Sequence, residues 1–69
     1  MPSTAIQRID YDPATREMYV TFVPTGKTYV YFGVPEDVHH AFRAASSRGQ
    51  YFNFYIRDRY VYREIALIY

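Results

Sequence analysis

At Val34-Pro35 the apolar residues of this 69-residue chain change their period, and no other feature constrains the fold as much. Before that point apolar and polar residues alternate, as they do along strands. After it, Val38, Ala41, Phe42 and Ala45 recur at i, i+3, i+4 and i+7, which lines one face of a helix. The first half is therefore expected to be sheet and the second half helix, giving an α+β domain. Residues 5–11 read as a first strand with Ile9 and Tyr11 on one face, and Asp12-Pro13-Ala14-Thr15 has turn chemistry. Residues 17–23 make the clearest strand, with Met18, Val20 and Phe22 alternating with Tyr19, Thr21 and Val23. Pro24-Thr25-Gly26 is a tight turn, and residues 27–33 form a third strand. Short connections predict a three-stranded antiparallel meander.

Pro35 suits the first helical turn, and Glu36 and Asp37 follow where the helix dipole favours carboxylates. The helix is expected to end at Ser46-Ser47-Arg48-Gly49, and Phe52, Tyr55 and Ile56 suggest a short second helix over residues 50–57. Val38, Phe42, Ala45, Phe52 and Ile56 should pack on one face of the meander. Residues 60–69 alternate loosely and end in Ile65-Ala66-Leu67-Ile68-Tyr69, so this tail can supply a C-terminal fourth strand, a docking arm or a frayed end. The length allows one domain over residues 1–69, with residues 64–69 as an apolar tail. At this size only about 60% of the unfolded surface is buried on folding. The chain has no cysteine, so neither a disulfide nor a Cys-based zinc site staples it.

Much of the core must then come from aromatics: nine Tyr and five Phe, with no Trp. Nine tyrosines exceed what a small core needs, so some should face solvent or a partner. Hairpin parity decides which. A three-residue loop over 24–26 pairs Val20 with Val30 and Met18 with Phe32, placing Met18, Val20, Phe22, Val30 and Phe32 in the core. Tyr19, Tyr29 and Tyr31 then share the opposite face. A two- or four-residue loop reverses this and brings Tyr29 and Tyr31 into the core. Pro24 cannot donate to a ladder, which counts against the two-residue loop; the three-residue register is the one expected.

Charge is nearly balanced, at a formal +1, but unevenly spread. Residues 1–37 hold three basic and five acidic groups; residues 38–69 hold Arg43, Arg48, Arg57, Arg59 and Arg63 against Asp58 and Glu64. Arginine suits bidentate phosphate contact and stacking on flat groups, although the same residues also make an ordinary solvated helical face. Ser47-Arg48-Gly49 opens the second helix with a Gly-containing turn, which either favours an anion or is simply a helix–helix turn. Asp58 can neutralise part of the Arg57-Asp58-Arg59 spot in a local pair.

Candidates for catalysis are weak. His39 and His40 are neighbours on a helix and point about 100° apart, so they do not share a metal as an i, i+4 pair would. Asp10 and Asp12 share a strand face without a third ligand. Ser46 and Ser47 lack a nucleophile elbow, and the three glycines form no phosphate loop. The chain is expected to be no enzyme, to need no cofactor and to bind no metal. No apolar run is long enough to span a membrane. Met1-Pro2-Ser3-Thr4 leads straight into a charged segment, so a signal peptide is not expected and a cytoplasmic location is the default.

One set of residues in order resembles a known family: Ile6-x-x-Ile9-x-Tyr11, Met18-x-Val20-x-Phe22, Gly26, Tyr29-Val30-Tyr31, Val34-Pro35, Ser47-x-Gly49-x-Tyr51-Phe52-Asn53, Ile56-Arg57 and Tyr60-x-Tyr62. The chain is similar over residues 3–63 to the KTSC domain, found at the C-terminus of some lysyl-tRNA synthetases and as single-domain bacterial and phage proteins. The resemblance implies a small domain of unassigned function, with RNA binding suggested by the synthetase context. Val61 stands where Pro is common between the last two tyrosines, and the apolar tail is longer than the usual ending.

The expected function is non-enzymatic binding of RNA, other nucleic acid or a nucleotide phosphate, with Tyr29 and Tyr31 stacking on bases and Arg48, Arg57 and Arg59 meeting phosphate. The alternative is a protein-interaction or regulatory module that uses exposed aromatics as anchors. Ile65, Leu67, Ile68 and Tyr69 are expected to mediate self-association, pairing with the sheet edge of a second copy to give a homodimer; the alternative is docking beside the first strand of their own sheet.

Overall fold

The computed structural model describes residues 5–65. Alternation builds four strands: β1 (Ile6–Asp12), β2 (Glu17–Phe22), β3 (Thr28–Tyr31) and β4 (Tyr62–Ile65). All neighbouring pairs are antiparallel, in the order β1-β2-β3-β4. The fold is α+β as expected, and the fourth strand is present. It lies beside β3, and not beside β1, the place weighed for intramolecular docking of the tail. Phe32, just past β3, donates its amide to the carbonyl of Val61 at 2.9 Å, so the two strands meet at the start of β4. Leu67, Ile68 and Tyr69 lie outside the described residues.

Both hairpins close with four-residue loops. In the first, Asp12 pairs with Glu17, the Arg16 amide donates to the Asp12 carbonyl at 2.7 Å, and Arg16 takes φ 59°. In the second, the Gly26 amide donates to the Phe22 carbonyl at 2.8 Å, and Gly26 supplies φ 74° without a Cβ penalty. Here the three-residue register is corrected. Val23, read as the end of β2, donates its amide to Ala5 on the β1 side at 3.1 Å. Towards β3 the ladder closes one residue earlier, where the Phe22 amide meets the Lys27 carbonyl at 2.9 Å. The loop is therefore residues 23–26, and the pairs are Met18 with Tyr31, Val20 with Tyr29 and Thr21 with Thr28. One extra loop residue exchanges the two faces of β3. Tyr29 and Tyr31 join the helix-facing side. Val30 moves to the opposite side, between Tyr19 and Arg63 on the adjacent strands, and Phe32 is partly exposed beyond the strand end.

The helical half begins where the period changes. Helix α1 spans Glu36–Ala44, with Pro35 extended before it and Glu36 and Asp37 in its first turn. Helix α2 spans Arg48–Tyr51, and the chain continues without a break into a π-helical turn over Phe52–Ile56. The Arg57 amide closes that turn on the Phe52 carbonyl, five residues back, at 2.9 Å. Phe42, Phe52 and Ile56 pack as expected against Ile9, Met18, Val20 and Tyr31 of the sheet, with Val34 sealed beneath the crossing. Val38 packs partly buried against this core. No helix among the described residues is long and apolar enough to cross a membrane.

Candidate nucleic-acid interface

Three tyrosines meet on the helix-facing side, with Tyr31 buried in the core and Tyr29 and Tyr62 nearer the surface. Tyr29 and Tyr31 from β3 and Tyr62 from β4 stand at the end of the sheet that α1 does not cover. Register explains their meeting: Tyr62 lies directly across from Tyr31, and Tyr29 lies two residues along. The π turn brings Phe52 to the same place, and Phe22 ends β2 beside Tyr29. The five rings make a closed circuit of contacts. Phe22 meets Tyr29 edge-on at 5.7 Å, Tyr29 meets Tyr62 at 5.9 Å, and Tyr62 stacks on Tyr31 at 5.5 Å. Tyr31 meets Phe52 edge-on at 5.5 Å, and Phe52 returns to Phe22 at 5.2 Å. These are the spacings at which aromatic pairs gain beyond simple burial.

The circuit lines an open groove of about 330 Å³, with Arg57 and Asp58 as its charged members. Depth varies around the ring. Tyr31 is 4% exposed and forms the floor, whereas Tyr62 is 56% exposed and offers a free surface. Burial, followed by the neighbouring Tyr62 and Tyr29 phenols, raises Tyr31 far above the ordinary phenol range, so it keeps its proton. Arg57 acts in the opposite direction on that phenol, which puts its charge close enough to be felt there. A second cleft, lined by the hairpin loop and Lys27, shares Phe22 and Tyr29 with the groove and extends it along the sheet end. Lys27 faces Glu64 at 4.0 Å across β3 and β4.

Of the residues expected from sequence to bind, the structure brings Tyr29, Tyr31 and Arg57 together at the groove. Arg48 is elsewhere. Its guanidinium donates to the Arg43 carbonyl at the end of α1, at 3.3 and 3.4 Å. Ser47 caps its own helix by accepting from the Gln50 amide at 3.3 Å. Arg59 is exposed and does not line the groove. Asp58 forms no ion pair with either neighbouring arginine, contrary to the local pairing weighed from sequence. Phe22, Phe52, Asp58 and Tyr62 are groove residues that sequence reasoning did not select. The signal for Tyr62 is its parity with Tyr31, legible only once β4 is known to lie beside β3.

His39 serves packing, and His40 is exposed. His39 stacks on Tyr11 with ring centres 4.3 Å apart and planes 13° from parallel. Its Nε2 accepts from Arg43 Nε at 2.7 Å, which leaves its ring proton on Nδ1, buried without a hydrogen-bond partner. Burial and the adjacent Arg43 lower its pKa below the ordinary 6.5. No group of three or more His, Asp or Glu side chains is placed to hold a metal ion among the described residues.

The sequence and the fold have counterparts in known proteins. The KTSC domain profile matches residues 2–60. The crystal structure of a KTSC domain protein from Yersinia pestis is similar with a TM-score of 0.86 and 38% identity, covering 96% of this chain and 92% of that one. A protein of Tsukamurella paurometabola is 37% identical over 65 residues, 94% of this chain and 92% of the relative. A lysine–tRNA ligase from a Nostoc species is 33% identical over 61 residues, which is 88% of this chain but only 11% of that enzyme. With its profile, sequence and fold all agreeing over nearly the whole length, the chain belongs to the KTSC domain family.

Proposed function

We propose that this domain is a non-enzymatic binding module for single-stranded nucleic acid or a nucleotide, and that its site is the aromatic groove at the end of β3 and β4. The observation that carries this reading is an exposed ring, Tyr62, set on an aromatic floor, with Arg57 in the same groove and in no ion pair among the described residues. Bases stack on such rings irrespective of sequence, and a guanidinium meets the phosphate beside them. In this reading a base lies against Tyr62 and Tyr29, with Tyr31 as the layer beneath. Arg57 takes the main phosphate contact and Arg59 extends the positive rim, while Arg48 remains engaged with α1. A lysine–tRNA ligase acts on an RNA, and the similarity of part of one such enzyme to this chain points to RNA as the ligand.

A formal charge of +1 implies few phosphate contacts. With one or two of them, the slope of log affinity against log salt is expected to be about −0.7 to −1.4 for a single strand. The test is a titration of a labelled single-stranded oligonucleotide at several salt concentrations. Arg57→Gln should weaken binding and flatten the slope by about 0.7, and Arg48→Gln should change neither. Salt-independent binding, or equal effects of the two substitutions, would reject this groove.

A second reading has its own observation. Phe54 on the outer side of the π turn is 72% exposed, and with Tyr51 and Tyr55 it borders a shallow cleft of about 250 Å³. Exposed aromatics of this kind anchor protein partners. Such a contact would be little affected by salt.

A further inference from the structure

Arg57 and Asp58 are consecutive, follow directly on the π turn and both line the groove. Arg57 keeps helical angles, so neighbouring side chains diverge and the two charges do not cancel each other directly. Among the described residues, neither side chain is in an ion pair or hydrogen bond, with the other or with any third group. Within the described residues the groove therefore presents a cation and an anion without partners, next to a stacking surface. For a bare phosphate this is a poor site, because Asp58 repels what Arg57 attracts. It suits a ligand that carries a hydrogen-bond donor close to its negative charge. A carboxylate has acceptors only, so whatever Asp58 takes must donate.

The order of groups in a nucleotide identifies the donor. The sugar lies between the phosphate and the base, and Arg57, Asp58 and Tyr62 line one groove. With the phosphate at Arg57 and the base at Tyr62, the sugar is the group left for Asp58. A ribose offers a 2′-hydroxyl donor there, and a deoxyribose does not. Resting on the nucleic-acid reading above, we propose that Asp58 makes the groove select ribonucleotides over deoxyribonucleotides, by accepting a hydrogen bond from the 2′-hydroxyl of the unit whose phosphate meets Arg57. Hydrogen bonds to a charged acceptor are the stronger kind, and the difference expected between the two sugars is about tenfold in affinity. The carboxylate contributes twice to this preference. It rewards the ribose, and against a deoxyribose it stands near the phosphate with no donor to offset it.

The experiment uses fluorescence anisotropy on the full chain, with oligonucleotides of one sequence in three backbones: ribo, deoxyribo and 2′-O-methyl. A matched pair of ribo- and deoxyribonucleoside monophosphates competes in a parallel arm. The wild type should prefer the ribo-oligonucleotide about tenfold, and the 2′-O-methyl strand, which keeps an acceptor but has no donor, should behave like DNA. Asp58→Ala should bind DNA more tightly than the wild type does and bind the three backbones alike; circular dichroism verifies that it is folded. A preference among the monophosphates assigns the site to free nucleotides, and a preference confined to the oligonucleotides assigns it to a strand; either supports the selection. Equal wild-type binding to RNA and DNA, or an RNA preference that survives in Asp58→Ala, overturns the role of Asp58 while leaving the groove as a nucleic-acid site. Binding of none of the probes overturns the groove reading and this one together.

Discussion

The helix-facing side of the sheet has two halves that use the same residue types to opposite ends. Over β1 and β2 the aromatics are closed in. Tyr11 donates its hydroxyl to the Val34 carbonyl at 2.6 Å, and its ring is covered by His39. Arg43 is held by His39 and by the Ile9 carbonyl of β1. Phe42 is fully buried and stacks on Tyr51 at 5.7 Å. Over β3 and β4 the tyrosines and Arg57 stand in an open groove, and no hydrogen bond engages their polar ends among the described residues. Satisfied polar groups rigidify a core; unsatisfied ones that remain solvated are available to a ligand. The contrast shows that aromatic content alone does not separate scaffold from site in this chain. What separates Tyr11 and Arg43 from Tyr29, Tyr62 and Arg57 is whether the hydroxyl or guanidinium already has a partner among the described residues.

The comparison breaks most visibly at Phe42. Phe42→Ala empties the closed half, and the expected cost of about 3–5 kcal/mol is enough to unfold a domain this small. A thermal melt matching the wild type would remove Phe42 from the core. Next in size is Tyr62→Ala in the open half. It should weaken oligonucleotide binding by about 1–3 kcal/mol, as for one lost base stack, with little change in the melt. A large drop in melting temperature there would make Tyr62 a scaffold residue instead. A milder pair of changes sharpens the contrast. Tyr11→Phe strands the Val34 carbonyl and should lower the melting temperature, whereas Tyr62→Phe removes a hydroxyl with no hydrogen-bond partner among the described residues and should not.

The smallest effect is a pH dependence. The pKa of His39 is lowered in the fold, by burial first and then by Arg43 and His40, with Glu36 opposing. Its contribution to stability is therefore complete above the unfolded value of 6.5 and is lost as pH falls from there towards the folded value, because the unfolded chain takes the proton first. Melting temperature should decline between pH 7.5 and pH 5.5, and His39→Gln should decline less. Parallel curves would show that another group controls the acid limb.

What was legible from the amino acids was the order of elements, because alternation and the i, i+3, i+4 spacing are local signals. Met18, Val20, Phe42, Phe52 and Ile56 were all assigned to the core from period alone. The second hairpin was misread by one residue because Val23 is apolar and β-branched and reads as strand, while its amide serves β1 and the hairpin turn begins at it. That single residue decided the side on which Tyr29, Tyr31 and Val30 lie. The π turn was invisible for a related reason, since Phe52 and Ile56 are four apart and fit an α-helix as well. The groove depended on both facts, and on β4 choosing the β3 edge, so only Tyr29, Tyr31 and Arg57 could be named in advance.

The π turn has a consequence for how this domain can diverge. A π turn holds one residue more than the α-helical turn it replaces, and losing one residue restores the ordinary pitch. Between Phe52 and Arg57 the chain is thus a spacer measured in residue number. Phe54 and Tyr55 face outward and tolerate exchange for many other side chains, whereas deleting either one rotates Arg57 and Asp58 away from the groove. Inheritance at this turn should therefore be strict about length and lenient about identity, with insertions and deletions rarer here than substitutions.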